Sequence, residues 1–391
     1  MNHVFIIGSK GIPAAYGGFE SFVDKLTAER KSNTIQYHVA CMGENEKEYV
    51  YNDARCFCIK TPSIGSAKAV FYDITAMCAC IKYISKNQIK DPQIYILACR
   101  IGPFIGRFKH KLAKYNGKIY INPDGHEWLR AKWNRIIKAY WKFSERLMIK
   151  YGDLIICDST NIESYILKKY RKYSPKTRYI AYGAEVQYSD ICNTDMLQSW
   201  FEKNELIKEE YYLLVGRFVP ENNYLTILQE FMATRTHKKL VIISNIENNK
   251  FYNELLNSTH FDEDKRIKFV GTVYDTALLC SIRSNAFAYI HGHEVGGTNP
   301  SLLESLATTK INLLLDVAFN REVGGDCAYY WLKEKGSLST LIDQVEQLPK
   351  NDCIRLGESA KQRIQSLYSW DKIVKKYEDL FLEKEVSSDG A

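Results

Sequence analysis

A glycine-rich stretch in the second half of the chain has residue types suited to binding phosphate. It spans residues 291–304 and reads HGHEVGGTNPSLLE. Asn299 is a good helix N-cap and Pro300 fits the first helical turn, so a helix is predicted to begin here. The free backbone N–H groups and the positive dipole end of such a helix attract phosphate. The stretch predicts a site for a phosphate-bearing ligand, with an ordinary capped helix as the alternative.

A carboxylate follows on the same predicted helix, at Glu304. It lies four residues after Pro300 and therefore shares a helix face with it. Its oxygens are suited to accept hydrogen bonds from a sugar hydroxyl beside bound phosphates. The alternative is a solvated glutamate on the surface of the helix, and the pattern alone does not choose between these two interpretations.

A second group of chemically capable side chains follows a predicted strand that ends at Asn122. Asp124, His126 and Glu127 come directly after it, at the carboxyl edge where open α/β sheets bind ligands. Any of these side chains is able to orient or deprotonate a hydroxyl group if it lies within hydrogen-bonding reach. A loop-capping role is an equally good interpretation of Asp124.

The elements that must position these residues alternate between strands and helices. Val4–Gly8 is a short apolar strand, after which Phe19, Phe22, Val23 and Leu26 recur at helical spacing. Further predicted strands are Tyr37–Cys41, Ile94–Cys99, Ile119–Asn122, Leu154–Asp158, Tyr211–Arg217, Leu240–Ser244, Ile267–Thr272, Ala286–His291 and Ile311–Asp316. This alternation predicts an α/β fold with doubly wound parallel sheets.

The length of the chain predicts more than one domain. Its 391 residues exceed the ~250–300 that a single hydrophobic core supports. The alternation is interrupted by polar residues between positions 185 and 195. We therefore predict a first domain over residues 1–185, a second over 186–369, and a C-terminal helix with a disordered tail over 370–391.

Several classes of protein are disfavoured. The loop over residues 8–18 departs from the dinucleotide fingerprint G-x-G-x-x-G and is longer, which argues against a classical NAD site. The pairs Cys56/Cys58 and Cys78/Cys80 lack zinc-ligand spacing, so no metal is expected. No apolar run approaches the ~18 residues of a membrane span. The chain opens directly on a strand, which favours a cytoplasmic protein.

The cysteines are expected to be reduced rather than paired. Several lie within apolar segments, where a thiol behaves as a small hydrophobic group. These are Cys41, Cys78, Cys99, Cys157 and Cys280. We predict that they are buried.

Positive charge is concentrated in one segment. Residues 101–150 contain twelve Lys or Arg and three acidic residues, so this segment accounts for more than the whole net charge of +7. Within residues 128–150, aromatic and basic side chains alternate at helical spacing, a combination suited to an anionic membrane surface. The alternative is an amphipathic helix with core aromatics and solvated lysines. Nucleic acid is not expected as a partner, because no nucleic-acid motif accompanies the charge.

Several longer motifs carry a family resemblance. They are Gly8-Ser-Lys-Gly-Ile-Pro13, Tyr16-Gly-Gly-Phe-Glu20, Asp124-Gly-His-Glu-Trp-Leu-Arg130, Tyr182-Gly-Ala184, Pro220-Glu-Asn-Asn223, Gly296-Gly-Thr-Asn-Pro-Ser-Leu-Leu-Glu304 and Phe319-Asn-Arg-Glu-Val-Gly324. Along most of its length the chain resembles retaining GT-B glycosyltransferases of the family 4 type, in particular bacterial capsule and cell-wall rhamnosyltransferases. The resemblance implies two Rossmann-like domains facing a cleft, with a C-terminal helix that crosses back to the first domain.

The resemblance also implies a reaction. It is the transfer of L-rhamnose from dTDP-L-rhamnose to a lipid-linked glycan acceptor, at the inner face of the cell membrane and without a cofactor or metal. Such enzymes have no clear protein nucleophile, and the departing diphosphate helps to accept the proton of the acceptor. The alternatives are a transferase with a UDP- or GDP-linked sugar, a hexosamine 2-epimerase, and a non-catalytic membrane-docking scaffold.

The donor-side residues follow from the same resemblance. Arg217 matches the family's diphosphate-binding arginine, with a surface ion pair as the alternative. Asn222 stands where a lysine is often found, and Gly296 stands where the family has its first glutamate, so Glu294 is a weaker substitute. The donor candidates are Gly17, Gly18, Arg217, Asn222, Glu294, Gly296, Gly297, Thr298, Asn299 and Glu304.

The remaining candidates concern catalysis and the acceptor. Stabilisation of charge on the leaving diphosphate by Arg217, the Gly297–Asn299 amides and the helix dipole is expected to be the largest catalytic effect. The catalytic candidates are Arg217, Glu304, Asp124 and His126. The acceptor-side candidates are Glu20, Asp124, His126, Glu127 and Arg130.

Overall fold

The structure, a computed structural model, describes residues 1–14, 17–130, 133–185, 194–246 and 250–383. They form two compact units. Unit 1 contains Met1–Gly183 and the helix that begins at Trp370, and unit 2 contains Ala184–Ser369. The predicted disordered tail lies outside the described residues, as do most of the polar residues around the predicted domain boundary.

Unit 1 is built on an eight-stranded sheet. The strands are β1 Asn2–Ile7, β2 Ile35–Gly43, β3 Glu48–Tyr51, β4 Ala54–Lys60, β5 Gln93–Leu97, β6 Lys118–Asn122, β7 Leu154–Cys157 and β8 Thr177–Tyr179. Their order is β3-β4-β2-β1-β5-β6-β7-β8. Every pairing is parallel except that of β3, which runs antiparallel to β4 at the edge. The strand order reverses between β1 and β5, which makes their carboxyl ends the expected ligand-binding edge.

Helices cover both faces of the sheet of unit 1. They are α1 Gly18–Ala28, α2 Lys68–Asn87, α3 Gly102–Ala113, α4 Arg135–Tyr151 and α5 Thr160–Lys169. The hydroxyl of Ser144 on α4 accepts from the N–H of Gly102 at 2.8 Å and donates to the carbonyl of Cys99 at 2.6 Å. A Cβ at Gly102 would collide with the backbone of Ser144, so only glycine allows this close approach. The contact fixes α4 against the end of β5.

Unit 2 is built on a six-stranded parallel sheet. The strands are β9 Tyr211–Val215, β10 Lys239–Ile243, β11 Ile267–Phe269, β12 Ala288–His291, β13 Ile311–Leu315 and β14 Tyr329–Trp331, in the order β11-β10-β9-β12-β13-β14. The helices are α6 Thr194–Asn204, α7 Tyr224–Met232, α8 Lys250–Thr259, α9 Thr276–Ser284, α10 Pro300–Thr308, α11 Ala318–Gly324, α12 Ser337–Val345 and α13 Lys350–Leu367. Here the order reverses between β9 and β12. The predicted α/β class with parallel sheets is confirmed.

The last described helix, α14 (Trp370–Phe381), belongs to unit 1. The hydroxyl of Tyr377 lies 3.0 Å from that of Tyr95, and the amide of Gln93 donates to the carbonyl of Phe381 at 2.8 Å. The carboxylate of Glu378 accepts the N–H groups of residues 31 and 32 at 2.8 and 3.0 Å. The prediction that the C-terminal helix returns to the first domain is confirmed.

The cysteine prediction is correct except at one position. Every described cysteine is a free thiol, and Cys41, Cys99, Cys157 and Cys280 are buried. Cys78 is exposed, because it lies on the outer face of α2 while Met77 and Cys80 face the core. Among the described residues, no cluster of three or more His, Cys, Asp or Glu has a geometry that would hold a metal ion. None of the described helices is both long and apolar enough to span a bilayer.

Candidate functional site

The helix predicted after the glycine-rich stretch is α10, and Asn299 is its N-cap. The side-chain oxygen of Asn299 accepts the N–H groups of Ser301 at 2.9 Å and Leu302 at 3.4 Å. Gly296 has a φ of 143°, and no described atom lies within 4 Å of where its Cβ would be. The loop before α10 therefore has open space at Gly296, beside a capped helix N-terminus of the kind that favours an anion, whereas Gly297 and Thr298 are buried.

Arg217 follows β9, the strand next to β12 in the sheet. Its side chain is exposed, and it makes no ion pair within the described part of the chain. The surface ion pair that was the alternative interpretation of Arg217 is therefore absent from the described part of the chain. The amide of Asn222 donates to the carbonyl of Arg217 at 2.7 Å, so this buried side chain holds the loop in shape. The charge of Arg217 remains available to a ligand.

Glu304 is held by a partner that sequence reasoning missed. One terminal nitrogen of Arg283 lies 2.7 Å from its Oε2 atom. Arg283 is on α9 and its side chain is only 3% exposed, whereas the side chain of Glu304 is 34% exposed. No local pattern connects residues on two different helices, so the sequence carries no signal for this pair. The interpretation of Glu304 as a freely solvated glutamate is wrong.

Two stacked histidines lie at the end of β12. The rings of His291 and His293 are 4.3 Å apart and nearly parallel, at 10°. Burial lowers the pKa of His291 well below its usual value, and burial together with the charge of Arg217 lowers the pKa of His293 to about 3. Both rings are therefore neutral at pH 7. A Cβ at Gly216 would lie 3.0 Å from the His293 ring, so this position before Arg217 requires a small residue.

Glu294, the substitute for the family's first glutamate, is already paired. Its carboxylate forms an ion pair with Lys333 and lies 3.3 Å from the side-chain nitrogen of Asn223. Its backbone N–H donates to the carbonyl of Glu221 at 3.1 Å. These contacts attach the loop after β12 to the turn before α7.

In unit 1, Glu20 organises the glycine-rich loop after β1. Its Oε1 atom accepts the N–H of Lys10 at 2.7 Å, and the side chain is almost fully buried. Gly17 precedes α1 with a φ of 130°, and a Cβ there would collide with the carboxylate of Glu20. Gly18 has open space around its Cα among the described atoms. Gly17 is thus required by the loop, and Glu20 is engaged inside the protein. Tyr16 of the same motif lies outside the described residues.

The loop after β6 is closed by its own side chains. The side-chain oxygen of Asn122 accepts the N–H of Asp124 at 2.8 Å, and Asp124 accepts the N–H of Gly125 at 2.8 Å. Asp124 and His126 have φ values of 58° and 44°, in the left-handed region. The geometry agrees with a loop-capping role for one oxygen of Asp124.

Arg130 and Glu127 form an ion pair beside this loop. The Nε atom of Arg130 lies 2.5 Å from Glu127, and one of its terminal nitrogens lies 4.0 Å from Asp124. The indole N–H of Trp133 donates to the other oxygen of Glu127 at 3.0 Å. The structure therefore brings together Asp124, Glu127 and Arg130 of the acceptor-side candidates.

His126 packs on a buried polar cluster. Its ring meets that of Tyr165 edge to face at 4.4 Å, and burial lowers the pKa of His126. The hydroxyls of Tyr165 and Tyr170 donate to Glu145 at 2.9 and 2.5 Å. Burial raises the pKa of Glu145. The Nδ1 atom of His126 is buried and has no hydrogen-bond partner among the described residues.

Arg100 is a second residue that sequence reasoning missed. It follows β5 at the point where the strand order of unit 1 reverses, and one terminal nitrogen donates to the carbonyl of Gly8 at 2.7 Å. The same nitrogen lies 3.1 Å from the fully buried carboxylate of Asp73. Burial raises the pKa of Asp73 to about 6, against the opposing effect of Arg100. Its place directly after a predicted strand was the available signal.

A cavity of about 590 Å³ opens beside the loop after β1. Its walls include the loop itself and the ends of β2 and β4. Lys10, Cys41, Lys47, Tyr49 and Cys58 line it. Local sequence patterns contain no signal for this cavity, because its walls come from three separate segments of the chain.

The basic segment over residues 128–150 is not the single long amphipathic helix of the alternative interpretation. Helix α4 begins at Arg135, after a separate turn at Glu127–Leu129. Ile136 is 80% exposed and Phe143 is 52% exposed, so these two side chains are not core residues. The ammonium of Lys142 lies 4.2 Å from the centre of the Trp128 ring. Lys132 lies outside the described residues.

Comparisons with known proteins address the fold. A family model described as a domain of unknown function, DUF1972, matches residues 1–185. A comparison with curated proteins gives no match. Among solved structures, the chain is similar to sucrose-phosphate synthase from Thermosynechococcus elongatus, with 15% identity and a TM-score of 0.79 over 98% of this chain and 99% of that one.

Two further solved structures have a similar fold. A glycosyltransferase from Rickettsia africae ESF-5 is 14% identical, with a TM-score of 0.74 over 98% of this chain and 99% of that one. Anabaena HepE in complex with UDP is 10% identical, with a TM-score of 0.70 over 98% of this chain and 100% of that one. At these identities the similarity concerns the fold alone. Because each similarity covers 98% of this chain, the chain has the GT-B fold.

Proposed function

We propose that the protein is a glycosyltransferase that moves a sugar from a nucleoside diphosphate to an acceptor hydroxyl. The observation that carries the proposal is at the switch point of unit 2. Arg217 follows β9, and the open loop before α10 follows the neighbouring strand β12. A cation without an ion pair in the described chain and a helix N-terminus at the same sheet edge suit a diphosphate.

The solved structures support a nucleotide-sugar donor. HepE was solved with UDP, and the same fold extends over this chain. Glu304 supplies a carboxylate that suits a hydroxyl of the nucleoside's pentose, with Oε2 already held by Arg283. The sequence motifs around Gly8, Asp124 and Gly296 favour dTDP-L-rhamnose as the first donor to test. UDP- and GDP-linked sugars are the alternatives.

The chemistry of the proposed reaction needs little from the protein beyond positioning and charge. Negative charge grows on the diphosphate as its bond to the sugar breaks, and Arg217 with the amides of Gly297–Asn299 would stabilise it. No side chain is assigned as a nucleophile; the departing diphosphate accepts the proton of the acceptor hydroxyl. His126 is neutral, since burial lowers its pKa, and it would orient that hydroxyl by a hydrogen bond. No cofactor forms part of the proposal.

The proposed acceptor is a lipid-linked glycan at the inner face of the membrane. Ile136 and Phe143 lie seven residues apart on α4 and therefore share a helix face, and both are exposed. The exposed cations of the same helix are Arg135, Lys142, Arg146 and Lys150. Each cation near an anionic surface adds about 1 kcal/mol of attraction, so together they would hold the protein there reversibly.

The test is incubation of the purified protein with dTDP-L-rhamnose and a panel of UDP- and GDP-linked sugars. Each is combined with a lipid-diphosphate-linked saccharide, and products are identified by mass spectrometry. A glycan one sugar longer and one equivalent of released nucleotide support the proposal. Release of a 2-epimerised sugar without a longer glycan would make the protein an epimerase. Absence of binding to every nucleotide sugar would leave only the scaffold role.

A further inference from the structure

Arg283 is an arginine enclosed by unit 2. It lies in the last turn of α9, and its side chain is 3% exposed. Its backbone carbonyl accepts the hydroxyl of Thr309 at 3.0 Å, which fastens the end of α9 to the end of α10. A guanidinium is not deprotonated in proteins, so this buried group keeps its positive charge and needs a counter-charge.

Glu304 supplies that counter-charge. It is the single carboxylate in ion-pair contact with Arg283 among the described residues, at 2.7 Å. The same guanidinium lies 3.3 Å from the hydroxyl of Ser301, which itself lies 2.9 Å from the hydroxyl of Tyr289. The Nε atom of Arg283 has no hydrogen-bond partner within the described chain. Side chains of α10 contact the guanidinium directly, and Tyr289 of β12 contacts one of them, so these two elements fix its position.

The side chain of Glu304 stays partly accessible despite this pairing. Oε2 faces the enclosed guanidinium, whereas one third of the side chain remains exposed. A carboxylate can accept from several donors at once, so the pairing leaves capacity for a hydroxyl group. Glu304 lies one helical turn after the N-terminus of α10, where the diphosphate is proposed to bind.

We infer that Arg283 is a positioning residue, which holds the carboxylate of Glu304 to accept a pentose hydroxyl of a nucleoside diphosphate. The inference rests on the proposed function and adds a residue that does not itself reach the ligand. A side chain already fixed in its bound conformation loses less conformational freedom on binding. Loss of Arg283 should then weaken recognition of the nucleoside and leave recognition of the diphosphate unchanged.

The experiment compares two probes, a nucleoside diphosphate and inorganic pyrophosphate. Binding of UDP, dTDP, GDP and pyrophosphate to the unmodified full chain and to Arg283→Met is measured by calorimetry. We expect nucleotide affinity to fall about tenfold or more and pyrophosphate affinity to change less than about twofold. The matched control is Arg266→Met, because Arg266 pairs with Asp264 at 2.6 Å elsewhere in unit 2. This control should lower the melting temperature without affecting either probe.

Each outcome decides the matter. Unchanged nucleotide binding in folded Arg283→Met makes the pair a structural clamp between α9 and α10 and overturns the inference. An equal loss of affinity for the nucleotide and for pyrophosphate also overturns the inference, because the substitution would then have disturbed the whole site. If the unmodified chain binds pyrophosphate but no nucleotide, the proposed function fails and the inference fails with it. Should Arg283→Met not fold, Arg283→Gln, which removes the charge that pairs with Glu304, decides: loss of nucleotide binding with unchanged pyrophosphate binding supports the inference, and no change refutes it.

Discussion

The carboxylate of Glu20 accepts the backbone N–H of Lys10 at 2.7 Å, across the glycine-rich loop of unit 1. Replacement of Glu20 by alanine removes this acceptor from an almost buried position. We expect the free energy of unfolding to fall by roughly 1.5–3 kcal/mol, the contribution of a hydrogen bond to a charged group, because this partly buried hydrogen bond is lost. Urea-induced unfolding measures this change. Glu20→Gln keeps an acceptor oxygen in place, so its free energy of unfolding should fall much less. Equal decreases in the two variants would contradict the role of this hydrogen bond.

Glu304→Gln should weaken donor binding and also destabilise unit 2. The amide loses charge-assisted hydrogen bonds worth roughly 1.5–3 kcal/mol to the ligand, and it leaves the enclosed Arg283 without a counter-charge. Donor affinity and melting temperature are both measured. Asp264→Asn, which breaks the pair with Arg266, is the control that should change stability alone. Unchanged affinity for every donor would remove Glu304 from the site.

Arg217→Ala should lower kcat more than it raises KM. Charge on the diphosphate is greater in the transition state than in the bound substrate, so a cation placed there acts mainly on turnover. Steady-state kinetics with saturating acceptor separate the two constants. Arg235, another exposed arginine of unit 2, is the control position and its alanine variant should be fully active. A pure rise in KM would show instead that Arg217 contributes uniform binding.

Charge reversal on α4 should release the protein from anionic vesicles. We expect Lys138→Glu, Lys142→Glu and Lys150→Glu, combined in one variant, to lower transfer to a lipid-linked acceptor while turnover of a short soluble acceptor stays nearly intact. Vesicle sedimentation at low and high salt measures the binding. The control makes the same change in net charge at exposed lysines of unit 2, Lys208, Lys265 and Lys335. Equal loss with both acceptors would mean that α4 has no membrane role.

The buried Asp73 should make stability depend on pH. Burial raises its pKa to about 6 in the folded protein, above its unfolded value, so the folded state holds a proton that the unfolded chain releases. Stability from this group is present at low pH and is lost as pH rises from about 4 to 6, by roughly 2–3 kcal/mol. Urea unfolding of the unmodified protein and Asp73→Asn at pH 4 and 7 isolates the effect. The free energy of unfolding of Asp73→Asn, relative to that of the unmodified protein, should be higher at pH 7 than at pH 4. The same difference at both pH values would contradict this prediction.

The fold was predictable because its determinants are local. Apolar runs such as Ile94–Cys99 mark buried parallel strands, and the sequence Asn299-Pro300 marks the start of α10, as the structure confirms. The edge strand β3 was not predicted, because its residues alternate between exposed and half-buried positions on a short hairpin. Cys78 was misplaced because its neighbours are apolar, although the helical phase turns it to solvent.

The candidate site was predictable where residues follow a strand end or lie in a recognisable motif. Asp124 was identified by the first signal and Arg217 by the family resemblance, whereas Arg100 met the strand-end criterion but was missed. Arg283 had no such signal, since its partnership with Glu304 depends on the packing of α9 against α10. Glu20 and Glu294 looked available in the sequence, but the structure engages both carboxylates with other parts of the protein. Contacts between distant segments arise from tertiary packing, which local patterns do not encode.

The return of α14 to unit 1 sets the order in which the protein can mature during synthesis. Domains usually fold as units, from the N-terminus onward, while the ribosome extends the chain. Here the aromatic side chains of unit 1 around Tyr95 and Phe22 meet Tyr377, so this core stays incomplete until after the whole of unit 2 has been made. Unit 2, a continuous stretch, is able to fold first. The first domain in the chain is therefore the last to be finished.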